Sequence, residues 1–130
     1  MGQIVELSLF AGEEQGGSGQ MNMLNAIDQQ EDRTKTLRHK IHTFYSDAGH
    51  GWLEADLADL SILGISHTIT GFSYRHGDKV YLEEDMDAST YINALFPNRN
   101  TDPEWPIFQR QLRHIDSGDY AIIRSYTHYK

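Results

Sequence analysis

Residues 41–85, IHTFYSDAGHGWLEADLADLSILGISHTITGFSYRHGDKVYLEED, decide the fold through their punctuation. Ile41–Ser46 reads as a strand, with Ile41, Thr43 and Tyr45 alternating against His42, Phe44 and Ser46. Asp47–Gly51 (DAGHG) is a turn carrying two glycines. Glu54–Leu63 fits a short helix whose apolar stripe is Leu53, Leu57, Leu60 and Leu63. Gly64 stands where a left-handed residue closes a helix, and Ile65 would then cover Leu60. Thr68–Tyr74 and Lys79–Glu84 read as strands on either side of Arg75–Asp78, a hairpin built on Gly77.

Downstream, Asp87 suits the N-cap of a helix over Ala88–Phe96, with Ala88, Tyr91, Ile92 and Leu95 on one face and Pro97 as the stop. Ile107–His114 satisfies two periods. Trp105, Phe108, Leu112 and Ile115 have helical spacing, whereas Phe108, Arg110 and Leu112 also alternate. Trp105 precedes Pro106 and so favours extended geometry, which tips the reading to a strand. Asp116–Asp119 (DSGD) turns the chain into a last strand, Tyr120–Tyr126. The expectation is an α+β domain, β-α-β-β-α-β-β, with a largely antiparallel sheet and helices on one face.

Upstream the texture differs. Ile4–Phe10 reads as a short strand, and Gly12–Gln20 holds four of the eleven glycines in nine residues, a flexible loop composition. Met21–Lys40 is polar and helix-forming, but its few apolar residues (Met23, Leu24, Ile27 and Leu37) are too sparse for a well-buried face. Residues 1–40 are therefore read as a loosely attached arm and 41–130 as the core.

The 130 residues suit one domain. With no cysteine there is no disulfide framework, no thiolate nucleophile and no Cys-containing zinc site. A formal net charge of −8 argues against a general nucleic-acid binder. Met1–Gln20 lacks the basic start and apolar centre of a signal peptide, so a cytoplasmic location is expected.

Several strings form a pattern: YSDAGHGW at 45–52, LGI at 63–65, YLEED at 81–85 followed by Asp87–Ala88, and IRSY at 123–126 with Tyr129. From Ile41 to Tyr129 the chain resembles a family of small, functionally uncharacterised proteins of bacteria, phages and other mobile elements. That resemblance implies domain identity and a mobile-element origin but brings no activity. Ile4–Gly12 (IVELSLFAG) separately resembles the first motif of cytosine-C5 DNA methyltransferases. The match fails after Gly12, where Glu13, Glu14 and Gln15 replace closely placed glycines, and such enzymes attack through a cysteine. A complete methyltransferase is excluded.

Three functions follow from the polar residues. The first is a non-enzymatic binding protein, encoded by a phage or mobile element, that modulates a host protein by docking; inhibition of a host defence fits that origin. Its contact residues would be Glu54, Asp56, Asp59, Glu83, Glu84 and Asp85, an anionic surface that steers a basic partner, with Tyr126 and Tyr129 (and their neighbour Tyr120) supplying rigid area. The second is a small metal-dependent hydrolase in which Asp47 orients His50 and Glu83 or Asp85 completes the site. It requires the DAGHG turn and the YLEED segment to converge. Against it, Asp and Gly are turn formers, the spaced acids of a calcium loop are absent, and no histidine pair has metal-ligand spacing. The third is phosphate contact through Arg33, Lys35, Arg38 and Lys40, four bases in eight residues. Neither cofactor nor metal is expected in the favoured, first reading.

Overall fold

The computed structural model describes the backbone of residues 18–130 and the side chains of residues 27–130. The strand expected at Ile4–Phe10 and most of the Gly12–Gln20 stretch lie outside the described residues. Helix α1 (Ser18–His39) precedes a chain of β1 (Thr43–Ser46), β2 (Gly51–Asp56), α2 (Leu57–Ile62), β3 (Tyr74–His76), β4 (Lys79–Glu83), α3 (Asp87–Leu95), α4 (Glu104–Gln111), β5 (Arg113–Asp116) and β6 (Thr127–His128). The sheet order is β5-β1-β2-β4-β3-β6. Every pairing is antiparallel except β1 with β5. The α+β class and the largely antiparallel sheet are as expected. Among the described residues no helix is long and apolar enough to cross a membrane.

Side-chain alternation divides the sheet into two faces. Leu53 and Ala55 of β2 and Val80 and Leu82 of β4 meet Leu37, Leu60, Tyr91, Leu95 and Phe108 from the helices. Trp52 and Tyr81 point the other way and pack with Ala121 and Ile123. Central strands buried on both faces carry no hydrophobic–polar alternation. For that reason residues 51–56 did not read as a strand: Trp52, Leu53 and Ala55 are all buried, and the helix expected from Glu54 begins only at Leu57. Gly51 is required where it stands, because a Cβ there would overlap the Phe44 ring.

The end of α2 closes as read. Gly64 has φ 76°, its N–H donates to Ser61, and the Ile65 N–H donates to Leu60 at 2.9 Å. These are the two hydrogen bonds of a Schellman motif. The hairpin over Arg75–Asp78 also forms, pairing His76 with Lys79.

Four expectations are corrected. Thr68–Tyr74 is not a strand: Ser66–Thr68 forms a 3-10 turn and pairing starts at Tyr74. Asp87 is the first residue of α3, not its cap, and its carboxylate turns inward to accept from Thr70 N, Thr70 Oγ1 and Ser73 Oγ. Residues 104–111 are helical, and only Arg113–Asp116 is a strand. Pro106 sits in the first turn, where backbone amides lack intrahelical acceptors anyway, so the helix tolerates it. Finally, Tyr120–Tyr126 contains a 3-10 turn, Ile122–Ser125, and the edge strand is Thr127–His128.

The segment read as a loose arm packs on the helical layer along its described half. Leu37 is fully buried. Polar anchors supply the remainder: Arg33 to Asp59, Gln30 to the Leu63 carbonyl, and Arg38 to the Leu95 carbonyl and Glu104. The boundary at residue 40 therefore does not separate helix from core.

One buried imidazole sits between β1 and the helices. His42 Nδ1 lies 3.0 Å from the Lys40 carbonyl and Nε2 lies 2.7 Å from the Tyr91 hydroxyl. The fitting tautomer donates from Nδ1 and accepts the Tyr91 proton at Nε2. Burial pushes its pKa below the ordinary 6.5. In the unfolded chain His42 takes up a proton near that value, whereas the native state resists it. Stability is thus unaffected by this group above about pH 6.5 and falls as pH drops below it, toward the lowered native value. We expect the melting temperature to fall between about pH 7.5 and 5.5, and to fall less in His42→Gln, which keeps an acceptor for Tyr91. Equal declines in both proteins would assign the effect elsewhere.

Candidate functional site

The cross-strand register builds a cleft on the sheet face opposite the helices. Trp52 pairs with Glu83, and the Glu84 N–H donates to the Gly51 carbonyl. Hydrogen-bonded and open pairs alternate in an antiparallel ladder, so Trp52 and Glu83 form an open pair, with side chains close together on one face. Carrying this register two residues further sets His50 opposite Asp85. Tyr74 and His128 pair on the neighbouring strands, their rings 4.6 Å apart. Phe72, Met86 and Arg124 complete the lining of a cavity of about 330 Å³.

Here the structure brings together His50, Glu83 and Asp85, as the hydrolase reading required. It withdraws Asp47. That carboxylate, fully buried, accepts hydrogen bonds from the Gly49, His50 and Ala121 amides and from Arg124 Nε and Nη2. The Arg124 guanidinium and these amides hold its pKa far below the usual carboxylate range. Asp47 is therefore a clamp between the DAGHG turn and the 3-10 turn at 122–125, with no lone pair directed to orient the His50 ring. Among the described residues, no three His, Asp or Glu side chains are placed to hold a metal ion.

Arg124, fixed in this way, spans two aromatic rings. Its guanidinium carbon lies 5.6 Å from the Trp52 ring centre and 4.9 Å from that of Tyr120. Trp52 is only 2% exposed, and its Nε1 is buried without a hydrogen-bond partner among the described residues. Exposed apolar side chains flank this floor: Phe72 (65%) and Met86 line the cleft and Tyr120 (69%) lies against Arg124, while Ile122 (70%) is exposed on the neighbouring 3-10 turn. Phe72, Tyr74, Met86, Ile122 and Arg124 were not singled out from the sequence. Trp52 and Arg124 do lie in two of the patterned strings, YSDAGHGW and IRSY, and the clamp joins those strings in space.

The other expected contact residues are mostly engaged inside the fold. Asp59 is buried against Arg33, and Asp56 pairs with Lys79 and Lys40. Glu83 is 8% exposed and Asp85 is exposed in the cleft lining, whereas Glu84, also exposed, lies beside Gly51 and Phe44 on the other face of the sheet. Glu54 is half-buried on the face of Tyr45 and Tyr81. Tyr126 stacks on His76 at 4.3 Å, and the Tyr129 hydroxyl donates to the Ser66 carbonyl. Tyr120 is the tyrosine left open. Of the four bases, Arg33, Arg38 and Lys40 are ion-paired and Lys35 is exposed, which dismantles the expected phosphate-binding run.

No protein-family model matches this chain, and no curated protein or solved structure matches it.

Proposed function

We propose that this chain is a non-enzymatic accessory protein that docks a partner protein through the cleft face. One observation carries the reading: exposed Phe72 and Tyr120 flank a floor of Trp52 and Arg124 whose geometry is fixed in advance by Asp47. Aromatic residues and arginine dominate binding hot spots, and a pre-organised side chain loses little entropy on contact. Exposed Asp85 in the cleft lining favours a partner whose apolar anchor is flanked by a basic residue. The same lining is where the anionic contact expected from the sequence survives. The resemblance of residues 41–129 to mobile-element proteins supports a host protein as the target, with inhibition of a host defence as one such role in the cytoplasm.

The hydrolase reading keeps His50 beside Glu83 and Asp85 but lacks the carboxylate that would orient the imidazole. Phosphate contact would rest on Lys35 alone among its four bases. Docking therefore stands ahead of both.

Affinity capture from host lysate with the full chain tests it, using wild type, Phe72→Ser and Ile107→Ser side by side. Ile107 is exposed on α4, in the helical layer. We expect a protein retained by wild type and Ile107→Ser to be lost by Phe72→Ser, with similar melting temperatures for all three. Equal retention by both variants, or no retained protein, would refute the reading.

A further inference from the structure

The two outer strands of the sheet differ. β6 is two residues long, and brevity is one way in which an edge escapes further pairing. β5 runs over Arg113–Asp116, with Arg113, His114 and Asp116 exposed, and among the described residues nothing pairs with its outer side. Its ladder with β1 shows which backbone groups are left over. The Arg113 N–H donates to the His42 carbonyl at 2.9 Å, and the Ser117 N–H to the Ser46 carbonyl at 2.7 Å. Residues 113, 115 and 117 therefore turn their peptide groups toward β1, and those of His114 and Asp116 point away from it.

An open edge is a template for another strand, and the sequence of this one (RHID) fits itself. When a twofold axis pairs two copies antiparallel, opposed residues share a face and the outward-pointing residues oppose one another. A register centred on Ile115 meets both conditions. It sets His114 against Asp116 of a second copy, and Asp116 against that copy's His114, each pair exchanging two backbone hydrogen bonds. An imidazole thus meets a carboxylate twice, and the two Ile115 side chains meet as an open pair on the opposite face. A register centred on His114 would oppose imidazole to imidazole and Asp116 to Leu112, whose N–H already donates to the Gln109 carbonyl. Charge complementarity selects the first.

We propose that β5 is a self-association edge, through which two copies of this chain pair antiparallel about Ile115 into one continuous sheet. The cleft is lined from β2, β4, β3 and β6, toward the far edge of the sheet, so the pairing leaves it open on both copies. A contact this small is weak, with a dissociation constant on the order of 100 µM.

The chain has no cysteine, so a single introduced one forms a disulfide only between copies. Across an open pair the Cα atoms stand within the separation a disulfide requires. Ile115→Cys, His114→Cys and Ile107→Cys are oxidised side by side in the full chain; Ile107 is exposed on α4 and reports chance collision. We expect Ile115→Cys to cross-link about tenfold faster than Ile107→Cys or more, and faster than His114→Cys. Sedimentation velocity of the unaltered chain should show a monomer–dimer equilibrium, and His114→Pro should abolish it. That proline removes an outward N–H but no bond to β1, so the melting temperature should change little. Equal cross-linking at 107 and 115, fastest cross-linking at 114, or a dimer that survives His114→Pro would overturn the inference. A chain that stays monomeric to about 1 mM would overturn it too; protected His114 and Asp116 amides in that monomer would show another segment of the same chain on the edge. Should His114→Pro not fold, the ranking of the three cysteine variants decides alone.

Discussion

Phe108→Ala is expected to lower stability by about 3–5 kcal/mol, the range for removing a buried aromatic ring from a core. Phe108 is the residue through which α4 is held. Its ring lies 5.3 Å from Phe96, 5.7 Å from Trp105 and 5.0 Å from His42, so one truncation withdraws contacts from α4, the end of α3 and the start of β1. Domains of this size are commonly stable by about 5–15 kcal/mol, and the loss would consume much of that. In urea unfolding followed by circular dichroism, the midpoint should drop by about 2 M, taking a slope near 2 kcal/mol/M. Phe108→Leu, which fills much of the volume, should cost well under half as much. A loss below about 1 kcal/mol for the alanine variant would mean that α4 does not seat on this residue.

Arg33→Ala is the second large effect, about 3 kcal/mol. Both Asp59 oxygens bond the guanidinium, at 2.6 and 3.0 Å, and the Asp59 side chain is buried beneath it. Removing the arginine leaves a buried carboxylate without its partner, which costs more than the pair itself contributes. Arg33 is partly open to water, so the lower end of the range for broken buried pairs applies. The double variant Arg33→Met/Asp59→Leu should recover most of the loss, because two apolar side chains remove the stranded charge. If the double variant were no more stable than Arg33→Ala, the anchoring of α1 to α2 would depend on something other than this ion pair.

The legible parts of the fold were those encoded by local rules. Gly64 closes α2 because a left-handed residue is needed there, Gly77 lies in the β3–β4 hairpin, and Ala88, Tyr91, Ile92 and Leu95 repeat at helical spacing. What escaped reading depends on tertiary context. Residues 51–56 become a central strand only because both faces are covered, which erases alternation. Pro106 argued for extended geometry, yet the first turn of α4 accommodates it. The docking of α1 was hidden because one leucine and several polar anchors do the work that an apolar stripe usually does.

The candidate site was legible in pieces. His50, Glu83 and Asp85 stood out as polar residues next to turns, and Glu83 and Asp85 were placed on one strand face. Their meeting follows from the β2–β4 register, which is invisible until β2 is known. Asp47 was read for its chemistry, although its partner Arg124 lies 77 residues away and decides its role. Exposure misled in the same way. Three acids of the expected anionic surface are held in ion pairs or buried, and the open residues Phe72 and Ile122 have no local pattern that separates them from core.

The most direct measurement is the dissociation constant of the captured partner for wild type and for Phe72→Ser, at matched thermal stability. A cleft-centred contact predicts weakening of about thirtyfold or more, the size of a hot-spot loss near 2 kcal/mol. An unchanged constant, or a turnover reaction that His50→Ala abolishes, would contradict a protein built to hold its partner rather than to transform it.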